Sequence, residues 1–267
     1  MSAKQPLILI GMLGGAALAV WGVFIVFTGL AASEFIPGED VYKRDIYVVI
    51  DQTYSMKEGQ RMEAKDILRD EVLDVMGPGD RISCYRIASD FQESRDRVFI
   101  SGRRLPKVPH NVPGMAKTEL PEGIQQQLAS RWQSYDQQRN AWISSLQSLD
   151  PERGGYSDYL GTVNEIGRRI TNDSDPNLAS EKWLLLIGDL KHEPVLSAAP
   201  APQKDEKRRY ANVNVQLVYP GGIHDAQEQK RIEAFWRAYF AARGNKRIEI
   251  SSYDGFIGRF PETMVAR

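Results

Sequence analysis

The chain has 267 residues, 42% of them hydrophobic and 26% charged, which is ordinary for a globular protein with room for one large domain and appendages. With 34 Lys and Arg against 35 Asp and Glu, the formal net charge of −1 supplies no overall field to draw nucleic acid or an anionic membrane surface. The lone Cys84 excludes an intrachain disulfide, and His110, His192 and His224 are too scattered to suggest a zinc site.

The first departure from the average is the N-terminus. Leu7 to Ser33 contains no charged residue and is dominated by Leu, Ile, Val, Phe, Ala and Gly. About 20 residues of helix cross a bilayer core, so the segment is long enough to span one. It is too long for the apolar part of a signal peptide, and only Ala31-Ala32-Ser33 offers a weak cleavage site. We expect a single transmembrane helix within 1–33, a polar connector over 34–43 and a domain from 44 onward. The positive charges at Lys4 and the amino terminus favour an N-inside orientation, which puts the domain outside the cytoplasm; a cytoplasmic domain is the alternative.

From residue 44 apolar strand-like runs alternate with helical periodicity, the pattern of βα units around a mostly parallel sheet. Ile46 to Ile50 reads as the first strand, followed by a helix from Glu58 to Met76 that Gly77-Pro78-Gly79 ends. Residues 80–89 and 96–104 read as a second and third strand in a hairpin. Residues 105–121, with four prolines, read as a loop. A long helix from Glu122 to Leu149 carries Leu128, Trp132, Tyr135, Trp142, Leu146 and Leu149 as a heptad-like stripe, and we take 105–149 as an insertion. A glycine turn and a short helix follow Pro151. Residues 182–190 form a continuous apolar strand of the kind buried on both faces. Residues 191–209 read as a mobile loop whose "KDEKRR" run is solvated. A strand over 212–222, an amphipathic helix over 226–244 and a strand over 246–253 complete the pattern. Residues 254–267 have no clear assignment.

In such a sheet, ligands bind beyond the carboxyl ends of the strands. Asp51, Thr53 and Ser55 leave the first strand at that edge, and Asp189 leaves the 183–188 strand there. Ser157 and Asp158 follow Gly154-Gly155 into a helix and can lie alongside. A set of carboxylates and hydroxyls without His or Cys suits a hard divalent cation, Mg²⁺ foremost, with Mn²⁺ or Ca²⁺ as alternatives. Asp51 can instead bond only to loop amides, and Ser157 or Asp158 can serve only as a helix N-cap.

These stretches resemble a known family. "DIYVVIDQTYSM" resembles the opening of a von Willebrand factor A-type (vWA) domain, whose metal-ion-dependent adhesion site begins Asp-x-Ser-x-Ser. "VLDVMGPGDRISCYRIAS" is similar to its second landmark, "GGYSDYLGTV" to its second metal loop, and "LLLIGDL" to its third, usually Thr-Asp-Gly. The resemblance covers residues 43–253 in order. It implies a Rossmann-like, doubly wound α/β fold in which Thr53, Ser55 and Ser157 coordinate the cation through their hydroxyls. Asp51 would hold the site through hydrogen bonds and water, and Asp189 would be the third loop's carboxylate. The remaining coordination position would be filled by an Asp or Glu from a protein partner. Gly188-Asp189-Leu190 departs from the pattern by losing a hydroxyl and a glycine, and Tyr54 and Tyr156 stand where they can shield the site.

The expectation is therefore a non-enzymatic, membrane-tethered binding module. Two alternatives stand beside it: a vWA scaffold with a vestigial metal site, and a haloacid-dehalogenase-like phosphatase with Asp51 as nucleophile. The phosphatase needs an acid two residues on, where this chain has Thr53. His192-Glu193 reads as a surface pair, Trp236, Tyr239 and Phe240 as core, and Cys84 as buried and inert.

Overall fold

The computed structural model describes residues 44–76, 80–87, 98–100, 122–150, 157–172, 181–192, 198–222 and 224–257. The expected transmembrane segment at 7–33, the connector, the proline-rich loop 105–121 and the tail beyond Ile257 lie outside them. No helix among the described residues is long and apolar enough to cross a membrane. The chain divides into two units, 1–40 with 108–131 and 41–107 with 132–267. Of the first unit only the opening of one helix is described; the sheet and its crevice belong to the second.

Six strands form one sheet: β1 (Arg44–Ile50), β2 (Arg81–Arg86), β3 (Val98–Ile100), β4 (Glu181–Ile187), β5 (Val213–Tyr219) and β6 (Ile248–Ser252). Their order is β3-β2-β1-β4-β5-β6. Five strands run parallel, and β3 adds to the edge of β2 as the antiparallel arm of the expected hairpin. All seven residues of β1 are buried, as a central parallel strand covered on both faces requires. The strand is fixed at its start by a buried ion pair of Arg44 with Asp80, the latter standing just before β2.

The helices are α1 (Glu58–Ile67), continued by a π-helical turn over Leu68–Leu73, then α2 (Glu122–Gln147), α3 (Tyr159–Asn172), α4 (Ala226–Ala242) and the single turn α5 (Tyr253–Phe256). The Glu58–Met76 helix expected from periodicity is thus interrupted. Asp74 N donates to Arg69 O five residues back, which lets Leu68, Val72 and Leu73 all stay fully buried.

Crossovers between parallel strands are right-handed, so the chain, moving one way from β1 to β2 and the other way from β4 to β6, clothes both faces. On one face Tyr47, Val49, Leu184, Leu186, Val215 and Leu217 pack with Val163, Ile166 and Ile170 of α3 and Trp236, Tyr239 and Phe240 of α4. Successive strand residues alternate faces, so Ile46, Val48, Ile50, Ile82, Cys84 and Ile187, all fully buried, serve the other face. There Tyr135 Oη donates to Met76 O and Lys65 Nζ to Leu149 O, seating the second half of α2 beside α1. Burial pushes the Cys84 thiol well above its ordinary range, in keeping with the inert cysteine expected.

Two segments carry more structure than the sequence suggests. The charged run after residue 203 is solvated at Lys204, Asp205, Lys207 and Arg208, as expected, but not throughout. It forms a 3₁₀ turn over Lys204–Glu206, with Glu206 buried and bonded to Arg243 Nη2 at 2.9 Å and Arg209 Nη1 at 3.0 Å. The start of the unassigned tail is also structured: Tyr253 and Phe256 of α5 are buried.

Candidate functional site

β1 and β4 are neighbours from which the chain departs in opposite directions, so the crevice beyond their carboxyl ends is the switch point of this sheet. Ile50 pairs with Ile187, and the ladder runs one residue further, Asp51 N donating to Ile187 O at 2.8 Å. Asp51 and Gly188 are therefore delivered side by side at that crevice.

Asp51 is completely buried and both carboxylate oxygens are occupied. Oδ1 accepts from Thr53 N at 2.8 Å and Thr53 Oγ1 at 2.7 Å. Oδ2 accepts from Tyr159 Oη at 2.9 Å and, at longer range, from Ser157 Oγ at 3.4 Å. Thr53 Oγ1 is also 2.8 Å from Ser55 Oγ and 2.9 Å from Ser157 Oγ. Residues 104 positions apart in the chain thus share one cluster of four oxygen-bearing side chains. Thr53 and Ser157 are buried, while Ser55 is exposed and opens the cluster to solvent.

The loop carrying these hydroxyls is held from α1. Arg61 Nη1 donates to Thr53 O at 3.3 Å and to Met56 O, and Gln52 Nε2 returns a bond to Arg61 O. Tyr54 is 60% exposed, with the Arg61 guanidinium 5.3 Å from its ring centroid. Tyr156 lies outside the described residues.

The helix-cap alternative applies to only one of the two candidates. Asp158 Oδ1 accepts from Gly161 N at 2.8 Å and caps α3, leaving Ser157 to face Thr53. Asp189 is buried, but its Oδ1 accepts from Lys191 N at 2.9 Å within its own loop, and its backbone O lies 2.9 Å from His224 Nε2. It acts on the cluster by charge. Burial first, and then Asp189, push the Asp51 carboxyl up to about 6, against the hydrogen bonds from Thr53 and Tyr159 that favour the ionised form.

Sequence patterns alone do not reveal Tyr159. Its hydroxyl donates to Asp51 and accepts from Leu190 N at 3.0 Å, joining the first and third loops. Leu190 takes φ 59, the left-handed region that costs an ordinary residue about 1–2 kcal/mol, and stays buried with Trp236 Nε1 donating to its carbonyl at 2.8 Å. The third loop thus carries strain that a glycine at 190 would avoid. A sequence signal for Tyr159 existed only in its place, two residues after Ser157. His192 Nδ1 is 3.5 Å from Leu160 N and 4.0 Å from Asp158 Oδ1. Glu193 lies outside the described residues.

The donor set fits a hard cation. A metal with oxygen ligands at 2.0–2.1 Å in octahedral array has adjacent ligands about 2.9 Å apart, and the hydroxyls of Ser55 and Ser157 stand 2.8 and 2.9 Å from that of Thr53. Two carboxylates, Asp51 and Asp189, supply negative charge behind them. Among the described residues there is no group of three or more His, Cys, Asp or Glu, so a cation here would rest on hydroxyls.

No protein-family model matches the chain, and no curated protein matches it. Among solved structures it is similar to a von Willebrand factor type A protein from Catenulispora acidiphila, with 15% identity over 83% of this chain and 42% of that one and a TM-score of 0.49. It is similar to proximal thread matrix protein 1 from the mussel byssus, at 13% identity over 84% and 47% and a TM-score of 0.44. The ArnB paralog VWA2 from Sulfolobus acidocaldarius gives 11% identity over 84% and 45% and a TM-score of 0.38. The chain spans less than half the length of each of these proteins. Its fold is defined by its own strand order and pairing.

Proposed function

We propose that this protein is a vWA-type binding module, tethered to a membrane by residues 7–33, that engages an acidic side chain of a protein partner through a divalent cation. The observation that carries the reading is the convergence of Thr53, Ser55 and Ser157 hydroxyls, from two loops, on the switch point of the sheet with Asp51 behind them. Thr53, Ser55 and Ser157 would hold the cation, Mg²⁺ in the first instance. Asp51 orients Thr53, and Asp189 adds negative charge that Asp51 feels. When bound, the cation supplies a positive centre with a coordination position for an incoming carboxylate. Neutral hydroxyl ligands quench that charge less than direct carboxylates do, so an acidic group from outside is attracted.

The same geometry disfavours the phosphatase. A nucleophilic carboxylate needs an oxygen free to attack, whereas Asp51 is buried with both oxygens hydrogen-bonded. Catalysis is not part of the proposed role.

The partner half of the proposal is tested with an array of short peptides carrying a single Asp or Glu, probed in Mg²⁺ and again in EDTA. Retention of acidic peptides in Mg²⁺ only, lost in Ser157→Ala, is the expected result. Retention that ignores EDTA would remove the cation from the mechanism. Tethering is tested by vesicle flotation: the full chain floats, and a chain starting at residue 44 stays behind. Equal behaviour of the two would remove the anchor.

A further inference from the structure

Resting on the cation-site reading, we propose that Tyr159 is the residue that positions the third cation loop, its phenol standing in for a side chain that position 188 cannot carry. A Cβ built on Gly188 would lie 2.3 Å from Tyr159 Oη and 2.4 Å from Asp51 Cβ, distances that no side chain tolerates. β4 must therefore be followed by glycine, and loop 188–190 has no side chain at that point with which to grip the cluster. The space is filled by the Tyr159 hydroxyl, which arrives from α3.

That hydroxyl makes two bonds of opposite sense. It donates to Asp51 Oδ2 at 2.9 Å and accepts from Leu190 N at 3.0 Å, so one atom ties the loop after β4 to the loop after β1. The ring is fixed by edge contact with Trp236, 6.0 Å between centroids, and Trp236 Nε1 bonds the carbonyl of Leu190. The residue after Asp189 is thus clamped at its N–H by Tyr159 and at its C=O by Trp236. Removing the hydroxyl frees Leu190 N, takes one donor from Asp51, and uncouples the position of Asp189 from that of Thr53 and Ser157.

A merely structural tyrosine would contribute stability and nothing else, so the test separates affinity from stability. Mg²⁺ is titrated calorimetrically into the full chain in detergent, into Tyr159→Phe, and into Val163→Ala. Val163 is a fully buried core residue on the same helix, and its truncation costs packing without removing a hydrogen bond to Asp51 or Leu190. We expect Tyr159→Phe to bind Mg²⁺ at least ~10-fold more weakly, or about 1.4 kcal/mol. Val163→Ala should keep the unmodified affinity at an equal or greater loss of Tm. Unchanged affinity in Tyr159→Phe, or affinity that follows Tm in both variants, overturns the proposal.

A second measurement uses the unmodified chain, in case the phenylalanine variant fails to fold. Hydrogen exchange at the Leu190 amide should slow when Mg²⁺ is added, because the ion stiffens the partner of its acceptor; exchange indifferent to Mg²⁺ overturns the proposal. If the unmodified chain takes up no Mg²⁺, the cation-site reading itself fails, and Tyr159 falls with it. If it binds Mg²⁺ and Tyr159→Phe binds equally well, only the positioning role fails.

Discussion

At the residue scale, the cost of this site is concentrated on one carboxyl. Asp51 is raised from 3.8 to about 6 by burial and by Asp189. A carboxyl whose folded value lies above its unfolded value favours the folded state fully at low pH. The contribution is lost as pH rises from about 4 through about 6. Without divalent cation, Tm should therefore fall across that window by the equivalent of about 2–3 kcal/mol, and Asp51→Asn, which cannot ionise, should lack this component. Saturating Mg²⁺ should offset the loss, because a cation favours the charged carboxylate. A flat Tm profile from pH 4 to 7 without metal would contradict the account. At this scale the Asp-x-Thr-x-Ser spacing made Asp51, Thr53 and Ser55 legible, since alternate residues leaving a buried strand reach the same rim. Tyr159 was not legible, because its role depends on a steric exclusion at Gly188, 29 positions away, that no local pattern records. Position 188 carries no hydroxyl, and in the proposal above the Tyr159 hydroxyl from α3 takes that place.

At the element scale, periodicity located nearly every strand and helix, because most are buried on one or both faces and the burial writes the pattern. It failed where polar residues are built inward. The 198–209 stretch looked solvated from its Pro, Ala and charges, yet Arg243 reaches it from just beyond α4. Its side chain is 2% exposed, bonds Glu206 Oε2 and Pro200 O, and stacks 3.8 Å from the Tyr239 ring centroid. Arg243→Ala leaves Glu206 with Arg209 as a charge partner but removes its bond to Arg243, and should cost about 1.5–3 kcal/mol in denaturant unfolding. Arg139→Ala, which breaks a partly exposed pair between α2 and Asp74, should cost under about 1 kcal/mol. Comparable costs would mean that the 198–209 stretch is not held as described. Of the heptad-like stripe of α2, Tyr135, Trp142 and Leu146 are buried within this fold, and Arg139 in the stripe meets Asp74.

At the scale of the whole molecule, strand order does what motif matching alone could not. The order β3-β2-β1-β4-β5-β6 places the two carboxylate-bearing strand ends next to each other, and α3 begins beside them with Ser157 and Tyr159. The fold class was legible because alternating βα segments admit few topologies once crossovers are right-handed. Use of the site is not written in the same pattern, since neighbouring hydroxyls satisfy one another as well as they satisfy a cation. The most direct measurement is a calorimetric titration of Mg²⁺ and Mn²⁺ into the full chain in detergent, beside Thr53→Ala and Ser157→Ala. The account predicts saturable binding at one site per chain, weakened at least ~10-fold in each variant. Binding that both variants retain would place the cation elsewhere, and an absence of binding in the unmodified chain would contradict the cation site outright.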